Sequence, residues 1–364
     1  MIVLNSLIAS VEHELRLALT IARHSKKMKQ YDLARAREEI AKLDLPDKES
    51  LLRAYTRDYR RYRATFDEYY YFYQFYRLSD AEKREFLTMR RLQTIIQKYM
   101  LKYGEQSRIT GSKPCFLKTF SPFIKRKWMR VDKKSNPREV QAFLDSFDVI
   151  AKPTGSSSGT GVYKIMRGHG RAEEILNGKL PILLEQCISS EKEIAAFHPA
   201  SLNTVRLLTL SNGKDVSILG AALKTGNNGS VFDNAAASGG YFAEINPETG
   251  VIISDGITVK GVESAVHPVS GKMFMGFEIP RWHELIETCR AAALFNSRIT
   301  LVAWDFAVTP QGIEIIEANS IPSPELHQMP LHKGISKKMF STMDELGLSY
   351  RDALFWAKIL WFFI

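Results

Sequence analysis

Residues 149–166, VIAKPTGSSSGTGVYKIM, hold the most informative local pattern in the chain. An apolar strand delivers Lys152, and the nine residues from Pro153 to Gly161 are Gly, Ser, Thr or Pro. Such residues let backbone N–H groups approach phosphate oxygens closely, while hydroxyls add donors. A P-loop would need GK[ST] at the end of the loop and then a helix, and a dinucleotide-binding fingerprint would also need a helix. Here Val162 and Tyr163 continue as a strand, so the stretch reads as a Gly-rich hairpin whose lysine precedes the loop. A plain flexible turn is the bland alternative, but a strand-borne lysine beside nine small residues is more than a hairpin requires.

Working outward, ILLEQCI (182–188) ends an apolar strand at Glu185 and Gln186, where a departing backbone can meet a purine edge. SLNTVRLLTL (201–210) puts Asn203 and Arg206 in an apolar strand, and ILGAALKTG (218–226) does the same with Lys224. Either cation could neutralise a transferring phosphate, or it could simply face water from a sheet edge. In LVAWDFAVTPQGIEIIEANSIPSPE (301–325), Pro310-Gln311-Gly312 reads as a three-residue turn joining two antiparallel strands. That turn predicts Asp305 opposite Glu317, with Asn319 on the face of Glu317 because side chains alternate. Two carboxylates and an amide oxygen are hard ligands suited to magnesium. A solvated hairpin with scattered acids is the competing reading, but a carboxylate inside LVAWDFAV would be expensive without a partner.

The flanks are different in texture. Leu4, Leu7, Ile8, Val11, Leu15, Ala18, Leu19 and Ala22 recur at helical steps, and YDLARAREEIAKL predicts a second helix ended by Pro46. Ser79 and Glu82 form a capping box that predicts a helix over SDAEKREFLTMRRLQTIIQKYM. The tyrosine run DEYYYFYQFYRL (67–78) suits packing between helices better than sugar stacking. From about residue 110 short β-rich runs take over, interrupted by one clear helix, PRWHELIETCRAAALF. His267 in HPVSG reads as ordering a loop.

The chain has 364 residues and a net charge of +10, enough for two or three folding units. Residues 1–150 hold 31 Lys+Arg against 19 Asp+Glu, and residues 151–364 hold 19 against 21. The densest basic stretch, 101–134, could meet nucleic acid, an acidic membrane surface or an anionic molecule. Three widely spaced cysteines make neither a disulfide framework nor a CxxC knot, which favours a reducing cytoplasm. The C-terminal ALFWAKILWFFI (353–364) is too short to span a bilayer. It reads as an element closing the core, with a membrane face or a membrane-associated glycosyltransferase as the alternative contact.

Together these residues resemble the ATP-grasp superfamily, and within it the sugar-transfer-associated ATP-grasp proteins. The likeness spans roughly residues 80–330 through GSKPCF, IAKPTGSSSGTGV, LLEQCI, SLNTVRLLT, FDN with SGG, HPVSGKMF, IPRWHEL, WDFAVTPQG and IEANSIP. It implies an α+β fold in which two subdomains grip ATP. The divisions expected are a helical region at 1–92, a basic subdomain at 93–150, nucleotide- and metal-binding subdomains at 151–335, and a hydrophobic tail at 336–364.

Carried over, the resemblance makes Lys113 and Lys152 the nucleotide lysines and Ser156, Ser157, Ser158, Gly159 and Thr160 a lid over the phosphates. Glu185, Gln186, Cys187 and Ile188 would line the adenine, and Glu193, or else Glu191, would meet the ribose. Asp305, Glu317 and Asn319 would hold two Mg2+ ions, with Arg206 and Lys224 stabilising transferred charge. Asp233, Asn234, Gly239 and Gly240 would lie near the acceptor. Ser112 stands where the family usually has an acidic residue before the first lysine, which leaves Lys118 as an alternative to Lys113.

The implied chemistry is carboxylate–amine ligation through an acylphosphate in surface-polysaccharide assembly, with an anionic acceptor, an amine donor and a location in the cytoplasm or at the inner membrane face. A kinase acting on a hydroxyl and a basic nucleic-acid-binding protein are the alternatives, the latter the weakest. The basic stretch then reads as one wall of a cleft for ATP and an anionic acceptor.

Overall fold

The structure, a computed structural model, describes residues 2–103, 105–154, 161–228 and 239–348. Two antiparallel sheets organise it. The smaller has the order β1 (Trp128–Val131), β4 (Ile182–Gln186), β2 (Val149–Pro153), β3 (Tyr163–Ile165). The larger runs β11 (Gly312–Asn319), β10 (Leu301–Thr309), β5 (Thr204–Ser211), β6 (Val216–Thr225), β7 (Tyr241–Ile245), β8 (Gly256–Ile257), β9 (Glu263–Ser264). The β-type runs read from the sequence form β2 to β6, β10 and β11, and β2 and β3 pair as the expected hairpin. The proposed lid residues 156–160 lie outside the described residues, as do Asp233, Asn234 and the tail from 349 onward.

Alternation along β10 divides its two faces. Val302, Trp304, Phe306 and Val308 join a core shared with the helix Trp282–Phe295, and the buried Trp304 indole donates to Thr209 Oγ1 at 2.8 Å. Leu301 and Ala303 face the opposite way, into a second core with Leu92, Ile95 and the helix Ser336–Glu345. Asp305 is on that second face by the two-residue period. A strand buried on both faces normally carries no charge, so a carboxylate here needs partners.

The N-terminal region is helical but differs from expectation in two places. One helix runs unbroken over Ile2–Lys42 where the sequence predicts two, since no proline or glycine interrupts the pattern. The side chains of the expected apolar face from Leu4 to Ala18 lie outside the described residues, and Ala22 is buried. Conversely, the helix opened by the Ser79–Glu82 capping box stops at Glu85, and another begins at Met89. Tertiary contacts capture the backbone between them: Gln328 accepts from Leu87 N and donates to Leu87 O, and the Thr88 hydroxyl donates to Tyr62 O. Gly334 packs so tightly on Glu85 that a Cβ there would come within 2.0 Å of its carbonyl.

The tyrosine-rich segment packs as expected. Tyr55, Tyr59, Tyr62, Tyr69 and Tyr73 are buried with Phe66, Phe75 and Phe86 against Phe242, Ile257, Leu326 and Met329 of the large-sheet side. Edge-to-face contacts such as Tyr55–Phe66, with centroids 5.4 Å apart, order the cluster. Among the described residues no helix is long and apolar enough to cross a membrane, and all three cysteines are free.

Candidate functional site

Directly opposed residues in an antiparallel sheet share a face, so the register defines a transverse row. Glu317 on β11 is opposite Asp305 on β10, Asp305 is opposite Arg206 on β5, Arg206 is opposite Ala222 on β6, and Ala222 is opposite Glu244 on β7. Five strands thus present one line of charge, with Lys224 two residues along β6. Arg206 grips Asp305 with both arms, Nε to Oδ1 at 2.7 Å and Nη2 to Oδ2 at 2.6 Å, and Lys224 Nζ adds a third bond to Oδ2 at 3.1 Å. Both cations are buried on central strands. The water-facing alternative for Arg206 and Lys224 is therefore ruled out.

These partners decide the protonation of the row. Burial alone would raise Asp305, but Arg206 and then Lys224 outweigh it and hold the carboxyl well below its usual range. Glu317 goes the other way, pushed above the ordinary range by burial in the cleft and by the Asp305 charge. Because 48% of the Glu317 side chain reaches solvent, the neighbouring carboxylate is the stronger of those two causes. Asn319 Nδ2 donates to Glu317 Oε1 at 3.1 Å, which leaves its amide oxygen available.

The donor set fits a magnesium ion by lone-pair count. Asp305 Oδ1 accepts from Arg206 Nε through one of its two lone pairs, Glu317 is half open, and the Asn319 amide supplies a neutral oxygen. Among the described residues no group of three or more His, Cys, Asp or Glu side chains forms a metal site, in keeping with a set of only two carboxylates and an amide.

The small sheet meets the large one at Arg126, which bonds Glu185 on β4 and Glu314 on β11. Ile150 is opposite Glu185, so Lys152, two residues along β2, lies on the same face and reaches Glu185 Oε1 at 2.8 Å. Arg126 Nε meets the other Glu185 oxygen at 2.6 Å. Burial pushes Glu185 up, yet Lys152 and Arg126 together bring it down to about 2. The side chain of Glu185 is thus committed to two cations, and the residues that follow it leave the sheet: Cys187 N donates to Asp148 O at 2.7 Å, while Cys187 and Ile188 stay half-buried. Gln186 pairs with the backbone of Lys127.

Lys113, half-buried at the start of the helix Lys113–Thr119, feels the charges of Glu317, Lys152 and Glu185, and burial lowers its pKa. Lys118, one turn on, is exposed. Glu193 is also exposed, whereas Glu191 Oε2 is buried without a hydrogen-bond partner among the described residues. The geometry thus brings Lys113, Lys152, Glu185, Arg206, Lys224, Asp305, Glu317 and Asn319 together, while Lys118 and Glu193 are exposed. Gly239, at a φ of +62°, and the buried Gly240 lead into β7.

Four further residues, Arg126, Glu314, Glu244 and His327, carry no local sequence signal. Arg126 and Glu314 are buried and bonded at 2.7 Å, but one was hidden in the basic run KRKWMR and the other looked like a scattered acid. Glu244 ends the row and its carboxyl lies 3.3 Å from His327 Nδ1, on a helix the sequence did not announce. Asn203, by contrast, is a loop staple, donating to Ile194 O and His198 O. His267 likewise orders loops: its Nδ1 accepts from Val269 N, so the neutral ring donates through Nε2 to Gly226 O at 2.9 Å.

The sequence profile described as sugar-transfer associated ATP-grasp matches residues 123–343, more than half of the chain. Lys113 lies upstream of that stretch. No curated protein matches. Among solved structures, the ATP-grasp ligase PsnB complexed with a minimal precursor aligns at 12% identity and a TM-score of 0.41, covering 66% of this chain and 62% of that one. The D-alanine–D-alanine ligase from Bacillus anthracis aligns at 13% identity and a TM-score of 0.35, covering 69% and 67%. An ADP complex of N5-carboxyaminoimidazole ribonucleotide synthetase aligns at 14% identity and a TM-score of 0.38, covering 66% and 52%.

Proposed function

The chain belongs to the sugar-transfer-associated ATP-grasp family, and on that footing we propose that it is an ATP-dependent carboxylate–amine ligase. The observation that carries the reading is a pair of ion networks joined through Arg126, Lys152–Glu185–Arg126 on one sheet and Glu317–Asp305–Arg206 with Lys224 on the other. Cations on both sides suit a polyphosphate, and a carboxylate pair between them suits its counter-ion.

In this reading Lys113 and Lys152 hold the α- and β-phosphates, with Lys152 leaving Glu185 for the nucleotide. Residues 156–160 cover the phosphates, and the segment Glu185–Ile188 lines the base. Glu191, with its unsatisfied buried oxygen, replaces Glu193 as the partner of a ribose hydroxyl. Asp305, Glu317 and Asn319 would hold magnesium, which when bound withdraws charge from the β- and γ-phosphates. Arg206 keeps Asp305 ionised and oriented, and with Lys224 it supplies positive charge near the transferring phosphoryl group.

A carboxylate oxygen of the acceptor attacks the γ-phosphorus, breaking its bond to ADP. The amine then attacks the acyl carbon and phosphate departs with the transferred oxygen. The family association favours a sugar carboxylate or a similar acid as acceptor, in surface-polysaccharide assembly. Incubation with Mg-ATP and panels of uronic acids and amines tests this. ADP, phosphate and an amide in equal amounts are expected. Release of AMP and pyrophosphate, or a stable phosphorylated acceptor formed without amine, overturns the proposal.

A further inference from the structure

The β10–β11 hairpin turns through two residues, Pro310 and Gln311, because Thr309 is opposite Gly312. Continued without interruption, that register would put Ile316 opposite Asp305 and turn Glu317 to the other face of the sheet. A β-bulge between Phe306 and Asp305 inserts Ile316 as the extra residue, so Glu317 arrives opposite Asp305. The bulge also places Glu314, opposite Ala307, on the same face as Glu317 although they are three residues apart.

The contacts that Arg126 makes with β11 run from Glu314 to the bulged Ile316. Its Nη1 donates to Glu314 Oε1 at 2.7 Å and to Ile315 O at 2.8 Å, and its Nη2 donates to Ile316 O at 3.1 Å. Its own backbone N–H donates to Glu314 Oε1 at 3.1 Å, and its Nε is bound to Glu185 on the small sheet. β11 is the edge strand, so its outer carbonyls have no cross-strand partner, and at the bulge two successive ones, Ile315 O and Ile316 O, turn to the same donor. One planar guanidinium satisfies them from the side, in a geometry that an ammonium cannot copy.

We propose that Arg126 is a positioning residue that locks the Ile316 bulge and so sets Glu317 opposite Asp305. Through Glu185 the same side chain ties this register to the strand that carries Lys152. The metal consequence rests on the ligase reading, but the register consequence stands on the hairpin alone.

The test is a crystal structure of Arg126→Lys, with metal titration of the folded protein. Lysine keeps a cation between Glu185 and Glu314 but cannot serve both carbonyls. Expected are a straightened hairpin with Asp305 opposite Ile316, and Mn2+ binding in the presence of a non-hydrolysable ATP analogue weakened roughly tenfold or more. If this variant does not fold, Arg126→Met with Glu314→Leu removes both buried charges together while leaving the Lys152–Glu185 pair, and the same register change is expected. A bulge and metal affinity unchanged in the folded variant overturn the proposal. A wild-type protein that binds no metal–nucleotide while the variant loses its bulge would instead reject the ligase reading and leave the role of Arg126 intact.

Discussion

Asp305 is opposite Glu317 only because Ile316 is bulged out of the ladder between them. The two acids then differ in fate: Asp305 is buried and bonded by two cations, while Glu317 is half open and raised by its neighbour. Their variants should differ accordingly. Glu317→Gln should keep its melting temperature and lose turnover by at least about a hundredfold with Mg-ATP. Asp305→Asn should lose turnover as well, but it also weakens the buried Arg206 and Lys224 contacts and should destabilise by roughly 3 kcal/mol. Paired activity assays and thermal melts check the contrast, and an unaffected melt for Asp305→Asn would contradict it.

Glu185 predicts a pH dependence. Its folded carboxyl lies at about 2 against an ordinary 4.5. A depressed carboxyl contributes stability above its unfolded value and loses it as pH falls toward the folded one. Denaturant unfolding should therefore show wild type more stable than Glu185→Gln by about 3 kcal/mol near pH 6, with the gap closing progressively below about pH 4.5. A gap independent of pH would reject the ion-pair account.

Lys113 and Lys118 are separated by one helical turn and by exposure. Lys113→Met should raise the KM for ATP roughly tenfold or more through loss of a charge-assisted contact. Lys118→Met should change it by less than about twofold. Steady-state kinetics with varied ATP distinguish the two lysines, and the reverse ranking would move the nucleotide wall to the exposed side.

Glu191 and Glu193 make a similar pair. If the buried Glu191 Oε2 meets a ribose hydroxyl, Glu191→Ala should narrow discrimination between ATP and its deoxy analogues by roughly tenfold, whereas Glu193→Ala should leave it in place. Competition kinetics with 2′- and 3′-deoxy-ATP provide the measurement.

Gln328 joins the helical N-terminal region to the nucleotide-binding fold through Leu87 N and O, Ile335 N and the Tyr73 hydroxyl. Gln328→Leu leaves those buried groups without partners and should lower stability by about 2–3 kcal/mol. Urea unfolding should show one transition shifted for the whole protein, and a separate early transition would show that the helical region docks independently.

Much of the fold was legible because hairpins declare themselves locally: apolar runs, small-residue turns and period-two alternation identified β2–β3, β5, β6 and β10–β11. A three-residue turn predicts the pairing of Asp305 with Glu317 correctly although it is one residue too long. The real turn is shorter, and the bulge restores the register. A bulge stabilised by an arginine nearly two hundred residues earlier in the chain leaves no local trace. The break after Glu85 was invisible for the same reason, since a capping box and good helix formers cannot report that Gln328 will capture Leu87. Arg126 shows the limit most clearly, because a basic run looks solvated until the fold buries one member between two acids.

The most direct test of the ligase reading follows an oxygen atom. With an acceptor labelled in its carboxylate with 18O, Mg-ATP and an amine, one label should appear in inorganic phosphate for each amide formed, as read by 31P NMR isotope shifts. Label found in AMP, or amide formed with unlabelled phosphate, would contradict transfer of the γ-phosphoryl group to the carboxylate.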